Sequence, residues 1–252
     1  MSSLARGAKT VTRLLQQKQG TRLRHRSHST AAHVHITRDL RALLRNTAQP
    51  VAVVTSILPQ TSKDSEAVYH GATLSSFTSI SMDPYPLVAF ALRIPSRMAT
   101  SLKATHPEQP SHMVVNLLSE EQGSVAMKFS RPDIYTHPFT TVPYTLTEDG
   151  LPVITGSLGA MTCKLVSPAL PLHDLGYLKE GGKLGKEMPE SVQARKGVAV
   201  SELFIAEVTR VENVIVGDSM AAISRTPLLY YRRGYTTVAP TYYTVSPTHP
   251  RD

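Results

Sequence analysis

The chain has 252 residues, with 27 lysines and arginines against 19 acids and a single cysteine, Cys163. That length makes one large domain or two small ones, with enough chain to bury a core. The lone cysteine excludes an intrachain disulfide and any multi-cysteine metal or iron–sulfur centre, and no run of 18 apolar residues suggests a membrane-spanning helix.

The formal net charge of +8 first suggests a nucleic-acid or membrane partner. The charge is concentrated, however. Residues 1–31 contain Arg6, Lys9, Arg13, Lys18, Arg22, Arg24 and Arg26 and no acid, and the first acidic residue is Asp39. The remainder carries only about +1, which argues against a nucleic-acid-binding face. On a helical wheel Leu4, Ala8, Val11, Leu14 and Leu15 gather within about one third of the circle, opposite Arg6, Lys9 and Arg13. A basic, acid-free amphipathic segment has the composition of a mitochondrial transit peptide, so residues 1–31 are expected to direct the chain to the matrix.

In chain order, residues 37–46 suggest a short amphipathic helix capped by Thr37. A β-rich run follows from Pro50 to Thr55, then a polar loop over 57–68. Residues 70–82 are rich in hydroxyls, and Asp83-Pro84-Tyr85-Pro86 breaks the chain. Leu87 to Leu92 is almost wholly apolar and predicts a strand buried on both faces. Pro95-Ser96 opens a helix to about Ala104, with Ser96 as its cap. His112 to Leu118 predicts another strand. Ser119, with Gln122 three residues on, forms a capping box for a helix to about Ser130. Residues 131–150 look turn-rich, ending at Glu148-Asp149-Gly150. Leu158 to Val166 predicts a strand, 168–198 a polar loop insertion, and 199–216 a long strand that turns at Gly217-Asp218. Residues 228–238 form a last strand with a hairpin-like break at Gly234, and 241–252 a flexible tail. Many short strands and three helices make a mainly β fold, a barrel with helices outside it.

Most motifs fail on spacing. No Gly-x-Gly-x-x-Gly follows a strand, Gly181 to Lys186 lacks phosphate-loop spacing, and Gly156-Ser157-Leu158-Gly159 is not a nucleophile elbow. The ten histidines form no metal set, and Cys163 sits in a strand pattern as a core residue.

The informative stretch is 71–102. Thr73, Ser75, Ser76, Thr78, Ser79 and Ser81 place six hydroxyls in nine positions, in both phases of a strand. Pro95-Ser96-Arg97 then brings a helix start and a guanidinium together, a combination that favours phosphate. A Ser/Thr-rich surface strand with an ordinary helix cap fits these residues equally well.

This block resembles the flavin reductase-like family, whose fold is the FMN-binding split β-barrel. The resemblance rests on Gly71, Thr73, Ser76, Phe77, Ser79, Ser81, Asp83, Pro84 and Pro86. Ordered matches follow at Val115-Asn116-Leu117-Leu118, Gln122, Phe129, Pro152, Gly156, Cys163, Phe204 to Val208 and Pro227 to Tyr230. It covers about 40–238 of an expected domain at 32–240.

The resemblance implies a homodimer holding a flavin, FMN or FAD, at the subunit interface, and hydride transfer from NAD(P)H. The cofactor contacts carried over are Thr73, Leu74, Ser75, Ser76, Thr78, Ser79 and Ser81 for the ring and ribityl chain, with Ser96 and Arg97 for the phosphate. Tyr235 and Arg232 either pack at the dimer interface or reach the flavin site. Many relatives carry a histidine near the nicotinamide where this chain has Ser201, and a hydroxyl cannot reproduce an imidazole. That departure leaves a second reading open, a non-catalytic subunit of a mitochondrial complex. A third is an oxidoreductase resembling pyridoxamine-phosphate oxidases.

Overall fold

The structure is a computed structural model and describes residues 34–58, 68–179, 200–212 and 225–239. The basic segment 1–31, most of the 168–198 insertion, the turn expected at Gly217-Asp218 and the tail 241–252 lie outside the described residues. The chain divides into two units, Met1–Thr47 and Ala48–Asp252. The first contains a helix over 34–44 (α1). It is already helical at Val34, so Thr37 lies inside it rather than capping it. At its end the Thr47 hydroxyl donates to the Leu44 carbonyl at 2.8 Å.

The second unit begins with Gln49–Pro50 (β1) and Ala52–Ile57 (β2). β2 is covered on both faces, which is why Val51 to Val54 are continuously apolar and the buried Thr55 and Ser56 hydroxyls donate to the Pro152 and His112 carbonyls. Ala52 and Val54 enter a cluster with Leu74, Phe90, Met113, Cys163 and Phe204. Val51 and Val53 enter a second cluster with Leu118, Phe129, Ile154 and Leu228. The hydroxyl-rich run then divides into Tyr69–Leu74 (β3) and Thr78–Ser81 (β4), with a corner between them. Leu87–Ile94 (β5) is the apolar strand expected there, and Phe90 is fully buried in it.

The helix after Ser96 forms as expected and is short, Arg97–Lys103 (α2); Ser96 Oγ accepts from the Ala99 N–H at 3.1 Å. Met113–Leu117 (β6) leads to the Ser119–Gln122 box, in which Gln122 Oε1 accepts from the Ser119 N–H at 3.0 Å. A 3-10 turn over Glu120–Gln122 then passes into Gly123–Ser130 (α3). The turn-rich region holds two short strands that the sequence reading did not anticipate, Tyr144–Leu146 (β7) and Pro152–Ile154 (β8), paired with each other.

Gly159–Leu165 (β9) is followed by Leu170–Pro171 (β10) and the helix Leu175–Lys179 (α4). The start of the presumed loop insertion is therefore ordered structure that pairs with the next strand, Val200–Glu212 (β11). The last strand is a hairpin, Leu229–Tyr231 (β12) and Gly234–Thr236 (β13). Its turn falls at Arg232 and Arg233, both at positive φ (49° and 69°), rather than at Gly234.

The principal sheet runs β3-β2-β6-β9-β11-β5-β4, every pair antiparallel, with β10 added to β11. Register shifts between Ser79 and Ser81 and between Val208 and Arg210 bend it. The sheet curls until β3 touches β5, forming a split barrel. The Ser76 hydroxyl fastens this closure: it donates to the Ala91 carbonyl at 3.1 Å and accepts from the Ala91 N–H at 3.0 Å. Inside, Phe90 and Phe204 are cross-strand partners stacked at 5.6 Å. Burying each ring contributes about 1.5–3 kcal/mol.

Asn116 fastens three strands. Its amide donates to the Val53 carbonyl at 3.1 Å and to the Thr55 hydroxyl at 3.2 Å, and its carbonyl accepts from the Ile154 N–H at 2.8 Å. No helix among the described residues is long and apolar enough to cross a membrane.

Candidate flavin-binding cleft

A cleft of about 800 Å3 opens between β3, the end of β5, the start of α2 and the segment after α3. Its volume lies within the range of small-molecule and cofactor sites. Of the residues singled out from sequence, Thr73, Leu74, Ser75, Ser76, Ser96, Arg97 and Ser201 line it. Ser201 reaches the wall because it pairs with Arg93 across β11 and β5. Thr78, Ser79 and Ser81 do not line it. They lie on β4, at the sheet's edge, where the Thr78 hydroxyl donates to the Ser79 carbonyl and the Ser81 hydroxyl to the Asp83 carbonyl, each at 3.1 Å. Arg232 and Tyr235 are also off the cleft wall. Arg232 stacks on the Tyr231 ring at 5.1 Å, and Tyr235 packs against the second core cluster.

Several hydroxyls of the wall already serve the fold. Thr73 donates to the Ala126 carbonyl of α3 at 2.6 Å, Ser76 holds Ala91, and Ser96 caps α2. Ser75 is exposed, without a hydrogen bond among the described residues, and its hydroxyl is open to a ligand.

The electrostatics of the wall are cationic. Arg93 and Arg97 line the cleft with no ion pair among the described residues. The one carboxylate there among the described residues, Asp133, is bonded by Arg131 at 2.9 Å, and that guanidinium holds its carboxyl below the usual range. Two uncompensated guanidiniums in a partly enclosed cleft attract an anion.

The sequence reading missed His70, Arg93, Asp133, Thr136 and Pro138, which also line the wall, and Phe129, matched in the resemblance, lines it with them. His70 Nε2 is buried without a hydrogen-bond partner among the described residues. Burial first, then the nearby charges of Arg97 and His137, hold the imidazole below its ordinary pKa. Gly71 lets β3 approach α3: a Cβ there would lie 2.5 Å and 2.6 Å from the Phe129 ring.

Cys163 is distant in character from any nucleophile. It is fully buried in the core, and burial pushes its thiol up to about 12. Among the described residues no three His, Cys, Asp or Glu side chains gather as a metal site would require.

The family description "Flavin reductase like domain" matches residues 44–239, and the chain belongs to that family. Among its relatives, a flavin reductase of Pseudomonas putida is 34% identical over 113 residues. That alignment covers 45% of this chain and 62% of the relative, so the chain spans less than two thirds of that protein. Solved structures share the fold. Nitrilotriacetate monooxygenase component B from Mycobacterium thermoresistibile superposes with a TM-score of 0.57 at 24% identity, covering 87% of this chain and 95% of that one. The NADH:FAD oxidoreductase SgcE6 of Streptomyces globisporus, solved with NAD and FAD fragments, superposes at 0.54 with 21% identity, covering 81% and 93%.

Proposed function

We propose that this protein is an NAD(P)H-dependent flavin reductase that binds FMN or FAD in the cleft along β3 and α2 and hands reduced flavin to an oxygenase. The observation that carries the reading is the cationic, hydroxyl-walled cleft in a chain of the flavin reductase-like family. The residues present fit a flavin nucleotide. Arg97, with Ser96 beside it, would hold the phosphate. Ser75, Ser76 and the β3 backbone would face the polar edge of the ring and its side chain. Leu74, Met98 and Phe129 supply apolar surface on the same wall.

Bound flavin supplies the hydride acceptor, so no general acid–base pair is required of the protein. Its own task is to bind, to orient the ring and to exclude water from one face. Thr78, Ser79 and Ser81 contribute through a second copy: β4 is an edge strand that exposes Ile80 and is followed by exposed Met82 and Tyr85, an apolar surface suited to homodimer formation. The basic, acid-free composition of 1–31 supports delivery to mitochondria, which cell fractionation of the tagged chain would test.

Ser201 favours a second reading, a split barrel that keeps its cleft but has lost the donor chemistry and serves as a structural subunit. The deciding experiment is the visible spectrum of the purified full chain with added flavin. A bound flavin band that bleaches with NADH or NADPH supports the reductase. A band that does not bleach moves the weight to the second reading, and absence of any flavin binding refutes the first.

A further inference from the structure

β3 alternates between two neighbours. Gly71 and Thr73 face α3, where the Phe129 ring and the Ala126 carbonyl lie. Ala72 and Leu74 pack in the cluster that holds Met98, Ala99 and Leu102 of α2. His70 shares the phase of Ala72 and Leu74, which places it on the Arg97 side of the strand, at the cleft. His112 shows what a structural histidine looks like in this fold. Its Nε2 contacts the His106 carbonyl at 3.1 Å and its Nδ1 accepts from the Leu165 N–H at 3.0 Å. His70 Nε2 has no such partner among the described residues, although it is buried, and buried polar atoms are normally satisfied.

We infer that His70 is a ligand-binding residue, its Nε2 bonding the phosphate of a flavin nucleotide beside Arg97, and that it takes up a proton from solvent when that phosphate binds. The inference rests on the flavin reading above and names a specificity device within it: phosphorylated flavin is distinguished from riboflavin by two groups, one of which titrates. Two charged or titratable groups act on His70 directly, and two more line the same cleft. Arg97 at the start of α2 and His137 after α3 both disfavour the imidazolium, as burial does. Arg93 lies on the same cleft, and Asp133 there is bonded to Arg131. The ring is therefore neutral near pH 7 before binding. A phosphate carrying about −1.5 to −2 charges reverses the local sign and raises the imidazole pKa. Because the bound form holds the extra proton, affinity for phosphorylated flavin falls as pH rises through the bound-state pKa, while affinity for riboflavin does not.

The test is flavin fluorescence titration of the full chain with FMN and with riboflavin from pH 6 to pH 8, for wild type and His70→Gln, which keeps a donor that cannot titrate. The wild-type to variant ratio of FMN affinities should fall about tenfold over that range, the factor for a pKa shift of one unit. The same ratio for riboflavin should stay flat. The second ionisation of the phosphate itself, near pH 6, appears in both proteins and cancels in the ratio. A pH-independent FMN ratio overturns the His70 inference and leaves the flavin reading standing. Failure of the wild type to bind either flavin overturns the flavin reading, and the inference with it. If the variant does not fold, NMR titration of His70 in the wild type decides: a pKa raised by FMN and not by riboflavin is expected, and no such rise refutes the role.

Discussion

Replacing Gly71 by alanine tests how closely β3 and α3 must approach. The new Cβ would lie 2.5 Å and 2.6 Å from two carbons of the Phe129 ring and 3.3 Å from the Val54 carbonyl oxygen. Carbon–carbon contacts settle at about 3.5–4.0 Å, so the ring must retreat by about 1 Å. It has little freedom to do so, being 4% exposed and set edge-on against Phe139 at 5.1 Å. Overpacking of this kind costs about 1–3 kcal/mol. Loss of glycine's freedom in the unfolded chain offsets about 0.4–1 kcal/mol. The net expectation is a destabilisation of about 1–2 kcal/mol. In urea, with a slope of about 2–3 kcal/mol/M, the midpoint should fall by about 0.3–1 M at unchanged slope. Pairing Gly71→Ala with Phe129→Leu makes room for the methyl group, so the double variant should lose less than the sum of the singles by at least about 0.5 kcal/mol. A midpoint unchanged or raised in Gly71→Ala, or strict additivity in the pair, would refute the steric argument.

Arg97→Gln should weaken FMN binding about ten- to a hundredfold, the value of one or two charge-assisted hydrogen bonds, and leave riboflavin nearly unaffected; equal losses for both would remove Arg97 from the phosphate. Asn116→Ala leaves the buried Ile154 N–H unpaired and should cost about 2–4 kcal/mol in denaturant unfolding. Cys163, with its thiol near 12, should resist thiol reagents at pH 8 in the native chain and react once guanidinium unfolds it. Burial is the main cause holding the imidazole of His112 below its ordinary pKa. The unfolded chain therefore binds the extra proton first, and stability should decline as pH falls below about 6.5, with a flatter profile in His112→Asn.

The sequence made much of the scaffold legible because both faces of its central strands are covered. Leu87 to Leu92 could be recognised as a buried strand and Pro50 to Thr55 as a β-rich run from composition alone, and Ser96 and the Ser119–Gln122 pair as helix starts. What escaped depends on distant partners. The corner at 75–77 contains no glycine or proline, and its sharpness comes from Ser76 bonding Ala91, a contact 15 residues away. For that reason Thr78, Ser79 and Ser81 could not be separated from Thr73 to Ser76 by pattern. β7 and β8 are three residues each, too short to show a period. Gly234 marks the hairpin turn in the sequence because glycine is the usual occupant of positive φ, whereas Arg232 and Arg233 adopt it. His70 looked like one of several scattered histidines, and only its phase on β3 brings it to the cleft.

The stitch between Ser76 and Ala91 has a bearing on how this family's lineages diverge. The same oxygen that faces the cleft also stands in for a missing rung of the ladder between the β3–β4 corner and β5, and Thr73 likewise ties its strand to α3. Selection for a closed barrel alone would retain both hydroxyls. A descendant that had abandoned its small molecule would go on displaying the serine–threonine signature, while Ser75, Arg97 and His70, which the scaffold does not need, drifted first.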